Sequence, residues 1–330
     1  MRGSKILVVG GAGYIGSHMV KALAHQHCHI TTLDNLSTGH RDAVLYGDFV
    51  HADLSNREAL QTLFQTRHFD AVMHFASSIQ VGESVIKPAM YYQNNVSNTL
   101  NLLDAMRGAG VHKFIVSSTA ATFGNPAYCP IDEAHPQHPI NPYGRSKWMI
   151  EQILEDYDRA YGLKSVCLRY FNAAGADPEG ELGERHLPET HLIPLVLQAA
   201  SGRRPHIAVY GRDYDTPDGT CIRDYIHVTD LCDAHWLALK SLLEGAESQR
   251  YNLGNGQGFS VHEVIQCAEA VSGMRIVTVD EPRRAGDPAI LVANPTLATQ
   301  RLGWTPQHPA LETIISHAWA WETNMLNTMP

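Results

Sequence analysis

A phenol and an ammonium stand four residues apart in Asn141-Pro142-Tyr143-Gly144-Arg145-Ser146-Lys147. Positions i and i+4 share one face of a helix, so Tyr143 and Lys147 are expected to point the same way from a helix's first turns. The ammonium should favour the phenolate and lower its pKa from about 10. A tyrosine tuned in this way accepts a hydroxyl proton near neutral pH. The spacing alone also fits a surface Tyr and Lys, and it gains weight only from its surroundings. Upstream, the apolar run Lys113–Ser117 ends in Ser117-Ser118-Thr119, which delivers a second hydroxyl, that of Thr119, to the same region.

A further motif lies near the start of the chain. Gly10, Gly13 and Gly16 follow the apolar run 5–10 and open a helical stretch over 14–24. Glycines at a strand-to-helix turn allow unusual backbone angles and close approach of a pyrophosphate, and the helix N-terminus then faces the negative charge with free N–H groups. Asp34 lies at the end of the next apolar run, Ile30–Leu33. A carboxylate there binds both ribose hydroxyls of an adenosine and repels a 2′-phosphate, which favours NAD over NADP.

The elements that must position these groups read as alternating strands and helices. Strands are expected at 5–10, 30–33, 70–75, 113–117 and 165–170, with helices at Asn95–Arg107 and Ser146–Tyr161. That alternation implies a parallel sheet covered on both faces, and a doubly wound fold binds its ligand at the carboxyl ends of the strands. After residue 172 Gly and Pro become frequent and the pattern turns irregular. The expected class is α/β: a Rossmann-type doubly wound parallel sheet over 1–172, and a smaller mixed α/β substrate-binding domain over 173–330. The boundary is discontinuous, because the chain returns to the sheet within 225–252. For 330 residues, about two domains is the ordinary number.

The net charge of −9 argues against a nucleic-acid partner, which calls for a basic stripe. No run of 18 apolar residues suggests a membrane span, and the N-terminus enters its first strand without room for a signal peptide. The six cysteines are scattered without a C-x-x-C pair and are expected to be reduced thiols of a cytoplasmic protein.

The glycine turn, the Ser/Thr strand end and the Tyr143/Lys147 pair together resemble the extended short-chain dehydrogenases/reductases. The chain is similar in particular to their UDP-galactose 4-epimerases. The segments that carry this are Leu33–Leu36, His74–Ala76, Val81–Ser84, Tyr91–Val96, Arg169–Asn172, Asp213–Thr220, Arg223–Val228, Tyr251–Gly254 and Arg283–Asp287. The resemblance implies tightly bound NAD, held by Gly10, Gly13, Tyr14, Ile15, Gly16, Asp34, Asn35, Asp53, Leu54, Phe75, Ala76, Asn94, Tyr143, Lys147 and Tyr170. It implies that Thr119, Asn172, His191, Leu192, Tyr210, Arg223, Arg284, Asp287 and Leu291 meet a UDP-sugar, with Thr119, Tyr143 and Lys147 catalytic. The implied reaction inverts C4 between UDP-galactose and UDP-glucose. Tyr143 takes the 4-hydroxyl proton as C4 passes hydride to NAD; the 4-keto sugar turns about its anchored UDP; hydride returns to the other face. The same resemblance implies a homodimer in which helices 95–107 and 146–161 form a four-helix bundle, an ordinary solvated face being the alternative.

Some positions depart from the family pattern. Thr119 replaces a common Ser with an equivalent hydroxyl. Ile79 stands where some members carry Lys near the cofactor phosphates, and His191 where others carry Asn. Leu291 is smaller than Tyr and bulkier than Cys or Ser, so the sequence leaves acceptance of UDP-N-acetylhexosamines undecided. No metal site is expected: His25, His27 and His29 read as a wet surface turn. Trp304, Trp319 and Trp321 are expected to pack the smaller domain. Two rivals remain. A nucleotide-sugar dehydratase or decarboxylase needs carboxylates after Thr119, where Ala120-Ala121-Thr122-Phe123 stands. A non-catalytic NAD-sensing regulator has no reason to keep Thr119, Tyr143, Lys147 and the arginines together.

Overall fold

The computed structural model describes residues 2–284 and 287–328, the last two of these by backbone alone. Ala285 and Gly286, inside the Arg283–Asp287 motif, lie outside the described residues. The strands are β1 Lys5–Val9, β2 His29–Asp34, β3 Asp48–His51, β4 Ala71–His74, β5 Lys113–Thr119, β6 Lys164–Tyr170, β7 Asn172–Ala174, β8 Ile207–Tyr210, β9 Ile222–His227, β10 Gln249–Leu253, β11 Gly258–Ser260, β12 Thr278–Glu281 and β13 Ile290–Leu291. The helices are α1 Tyr14–His25, α2 Arg57–Thr66, α3 Val81–Ile86, α4 Pro88–Tyr91, α5 Asn98–Gly108, α6 Pro142–Tyr161, α7 Leu192–Ala200, α8 Val228–Leu243, α9 Val261–Ser272, α10 Thr296–Leu302 and α11 Leu311–Thr328.

Seven strands form one parallel sheet in the order β10-β6-β5-β4-β1-β2-β3. Its central strands are apolar on both faces because each face is roofed by helices. On one side Ile6, Val8 and Met73 pack with Met19 and Leu23 of α1 and Leu231, Ala234 and Leu239 of α8. On the other, Leu7, Val72 and Phe114 pack with Leu60 of α2, Leu102 of α5 and Ile150 and Leu154 of α6. The strand order reverses between β1 and β4, which is where a doubly wound sheet opens its ligand crevice.

A second core joins α7, α9 and α11 to β7, β8 and β9 around Ile193, Val196, Val264, Ile314 and Tyr225. Here the sheets are small: β11, β9, β13 and β7 make one, and β12 pairs with β8 in another. The chain crosses back between the two cores, with β9 in the small sheet, α8 on α1, and β10 on the edge of the large sheet beside β6.

Two expectations need correction. The helix expected over 95–107 is wound as a π-helix from Tyr92 to Ser97 before α5 begins. Asn95 is the reason, since its buried side chain bonds Ser78 N, Ser78 O and Ser146 Oγ at 2.8–3.0 Å and must be turned toward them. Trp304 packs not in the small core but in the large one under α8, its Nε1–H donating to Asp230 O at 2.9 Å; Trp319 does join the small core.

Candidate active site

The glycine turn is folded tightly on its neighbours. A Cβ on Gly10 would lie 2.5 Å from Ala76 N, and one on Gly16 only 2.1 Å from Gly10 O. Gly10 also has φ +80°, a region that favours glycine. So β1's exit is pressed against Phe75-Ala76 at the exit of β4. Gly13 caps α1 without any side-chain hydrogen bond, which leaves the first-turn N–H groups of the helix for an anion. These features fit a dinucleotide pyrophosphate. Asp34, at the end of β2, is buried and accepts from Ala12 N at 3.0 Å and Leu36 N at 2.8 Å. Asn35 Nδ2 donates to Asp53 at 2.5 Å, and Leu54 O accepts from Asn101 Nδ2 at 3.0 Å. Tyr14 O–H donates to Gly175 O at 2.7 Å, and Ile15 packs in the core below. Phe75 lies against the His235 ring at 5.0 Å, and Asn94 Nδ2 donates to Ser78 Oγ at 3.2 Å.

The phenol reaches β5 through the start of α6. Asn141 Oδ1 accepts from Gly144 N at 2.8 Å, and Pro142 sits in the first turn, where its missing N–H costs nothing. A Cβ on Gly144 would be 2.3 Å from Ala121 O. Glycine therefore lets the helix rest directly on the turn after Thr119. Tyr143 and Thr119 are both nearly buried there, and the Thr119 hydroxyl also accepts from Ala121 N at 3.1 Å. Ser146 Oγ donates to Tyr143 O at 2.7 Å and accepts from Asn95 Nδ2, which links the π-turn to the phenol's own backbone. Tyr170 lies across from Thr119 on β6, in register.

The electrostatics differ from the expectation. Burial pushes Tyr143 up to about 12, with only the Thr119 hydroxyl pulling the other way, while burial brings Lys147 down to about 8. Lys147 Nζ donates to Ser77 Oγ at 2.6 Å and Ser117 O at 2.8 Å, so its charge is turned toward the ends of β4 and β5 and not onto the phenol. In this state the phenol is protonated, and a cation beside it is what would release its proton.

Of the residues expected at the UDP end, Asn172, Arg223 and Leu291 lie on the small sheet of β7, β9, β11 and β13, Tyr210 on β8, and the others in α7 or loops. Asn172 lies on β7, donating Nδ2–H to Asp224 O at 2.9 Å. Arg223 on β9 stands in register with Leu291 on β13 and pairs with the Asp287 carboxylate. Arg284 lies over the Tyr210 ring at 4.0 Å from its centroid, a cation–π contact. Leu291 packs with Phe123 and Phe171 beside the turn after Thr119. Leu192 opens α7. His191 is the exception: its Nδ1 faces two acids, Glu184 at 2.6 Å and Glu189 at 3.3 Å.

Sequence reasoning passed over several supports of the site. Ser77 and Ser117 hold Lys147. Glu151 and Arg169 form a fully buried ion pair at 2.5 Å, with Ser118 Oγ donating to Glu151 at 2.6 Å. A carboxylate eight positions beyond Tyr143 on the helix, with an arginine inside a strand, was a readable signal of such a pair.

The chain is similar to known proteins in sequence and fold. The model of the NAD dependent epimerase/dehydratase family matches residues 6–254. A UDP-glucose 4-epimerase of Halalkalibacterium halodurans is 52% identical over 316 residues, 96% of this chain and 95% of that one. The crystal structure of a UDP-glucose 4-epimerase from Brucella ovis in complex with NAD superposes with a TM-score of 0.94 at 51% identity, covering 96% of this chain and 97% of that one. The UDP-Glc/GlcNAc 4-epimerase of Campylobacter jejuni superposes with a TM-score of 0.85 at 45% identity, covering 98% and 100%.

Proposed function

Because the chain belongs to the NAD dependent epimerase/dehydratase family, we propose that it interconverts UDP-galactose and UDP-glucose by inverting C4 through a 4-keto intermediate. The observation that carries this reading is the docking of α6 on the end of β5 through Gly144, which brings Tyr143 to Thr119 beside the glycine turn. NAD, when bound by the glycine turn, Asp34, Asn35, Asp53, Leu54, Phe75, Ala76, Asn94 and Tyr170, supplies the hydride acceptor and donor. Tyr143 takes the 4-hydroxyl proton and returns it to the opposite alkoxide. Thr119 hydrogen-bonds that oxygen and holds it toward the phenol. Lys147 keeps a positive charge at the carboxyl ends of β4 and β5. Asn172, Leu192, Tyr210, Arg223, Arg284 and Asp287 grip the UDP half, whose binding energy retains the ketone while it turns, and His191 stands beside the sugar.

Purified protein incubated with UDP-galactose and no added NAD tests this, with products separated by chromatography. UDP-glucose forms without net NADH, and Tyr143→Phe lowers the rate about 100-fold or more. Product that needs added NAD points to Ile79, which is 39% exposed, as the cause of weak cofactor retention. Absence of any epimer from UDP-galactose, UDP-N-acetylgalactosamine and a UDP-pentose overturns the reading and favours the regulator.

The same reading makes the protein a cytoplasmic homodimer. Segments 95–107 and 146–161 build the four-helix bundle, to which α6 brings the exposed Met149 and Tyr161. Among the described residues no helix is long and apolar enough to cross a membrane. Light scattering that returns a monomer's mass removes the dimer.

A further inference from the structure

The segment between β7 and α7 contains a second cluster, of which the proposed epimerase reaction uses His191 alone. Glu184, His186, Glu189 and His191 each direct one donor atom into a common space, all within 4.8 Å of one another. Glu184 Oε1 lies 2.9 Å from His186 Nδ1 and 2.6 Å from His191 Nδ1. The Glu189 carboxylate lies 3.3 Å from His191 Nδ1 and 3.8 Å from His186 Nδ1. A tetrahedron with metal–ligand bonds of about 2.0–2.1 Å has edges of about 3.4 Å, and these separations fall on both sides of that figure.

A second observation points to a ligand. Glu184 Oε1, His186 Nδ1 and His191 Nδ1 are buried atoms with no hydrogen-bond partner, although they crowd together. They stand at ion-pair distance from one another. The side chains of Glu184 and Glu189 are both only 5% exposed. Buried polar atoms without partners are rare, and an ion at their centre satisfies all of them at once. Glu189 is already set for that task, since its Oε1 accepts from Thr190 N at 2.7 Å and His191 N at 2.9 Å, the kind of outer bond that orients a ligating carboxylate. The neighbouring acidic group Asp177, Glu179 and Glu181 differs: its centre is filled by the Lys21 ammonium at 2.5–2.8 Å.

We propose that Glu184, His186, Glu189 and His191 bind a divalent transition-metal ion, with Zn2+ the ion best suited to two imidazoles and two carboxylates. The ion acts as a clasp. The segment is tied to the large sheet's side by Arg185 with Asp42 and by the edge of the His186 ring against Tyr14, and to the small core by Trp321 Nε1 on Glu184 O. Fixing its four side chains fixes both attachments and the entry to α7 at Leu192.

The cluster shares His191 with the proposed sugar site, but its test does not use turnover, so the failure of one reading is distinguishable from the failure of the other. Untagged holoenzyme is dialysed against about micromolar buffered Zn2+ and its metal content measured by mass spectrometry; a Co2+-exchanged sample is scanned in the visible. The expected result is about one equivalent of Zn2+ per chain, with Co2+ giving intense ligand-field bands and no thiolate charge-transfer band. His186→Ala and Glu184→Gln each weaken Zn2+ affinity about 10-fold or more. Less than about 0.1 equivalent on the wild type, a thiolate band, or unchanged affinity in both variants overturns the site and leaves protonated histidines paired with the two glutamates. Because the wild-type stoichiometry and spectrum decide first, a variant that fails to fold does not block the test.

Discussion

At Gly144 an added Cβ would sit 2.3 Å from the Ala121 carbonyl oxygen, so even alanine forces α6 away from the end of β5. Gly144→Ala is expected to destabilise the fold by about 1–3 kcal/mol and, by separating Tyr143 from Thr119, to lower kcat about 10-fold or more; denaturant titration and steady-state assays read the two effects separately. Leu291 lies against Phe123 and Phe171, where, on the proposed reading, extra bulk narrows the space around the sugar. Leu291→Tyr is expected to lower kcat/KM for UDP-N-acetylglucosamine at least about 10-fold and to leave that for UDP-glucose within a few-fold. An equal loss on both substrates would remove Leu291 from the role. The Tyr143–Lys147 spacing was readable because a helix fixes which residues share a face. The direction of the lysine's charge was not, because Ser77 and Ser117 reach it from distant parts of the chain.

At the scale of elements, α6 is held to β6 by the Glu151–Arg169 pair, which is buried with both partners at most 2% exposed. Removing one partner strands a charge in the interior. Glu151→Ala is expected to cost about 3–5 kcal/mol, seen as a lower denaturant midpoint, whereas Glu155→Ala, on the exposed side of α6, stays within about 1 kcal/mol of wild type. Similar midpoints for the two variants would show that the pair does not anchor the helix. The parallel strands and the start of α6 were legible from continuous apolar runs and from the Asn141-Pro142 cap. The π-turn was not, because it is imposed by bonds from Asn95 to Ser78 and Ser146 that no local pattern announces. Trp304 was misplaced for a related reason, since aromatic residues grouped in sequence need not share a core.

At the scale of the whole molecule, four histidines among the described residues are buried in the neutral form: His18, His74, His227 and His235. Burial brings His18 and His235 down to about 4 and, with the Lys147 charge near His74 and His308 and His317 near His227, brings both of those to about 3. Below the ordinary histidine pKa of about 6.5 the unfolded chain takes up protons that the folded chain refuses, so stability falls as pH falls. The loss is about 2 kcal/mol per histidine at pH 5 and nothing above pH 7. His186 and His191 act in the opposite sense: against the pull of burial, Glu184 and Glu189 raise them to about 9 and about 10. The decline is therefore read as the difference between wild type and His235→Gln in melting curves from pH 5 to 8; a difference that does not change with pH would mean that this ring finds a proton in the fold. The order in which the sheet is assembled also bears on how the chain is born. The edge beside β6 is closed by β10, and the open side of α1 is roofed by α8. A nascent chain that has emerged only as far as Asn172 therefore carries its dinucleotide half with a bare strand edge and an uncovered apolar helix face, both invitations to aggregate. Until Leu253 clears the ribosome this half has no finished form of its own, and a fragment cut at Asn172 should be recovered from cells in the insoluble fraction.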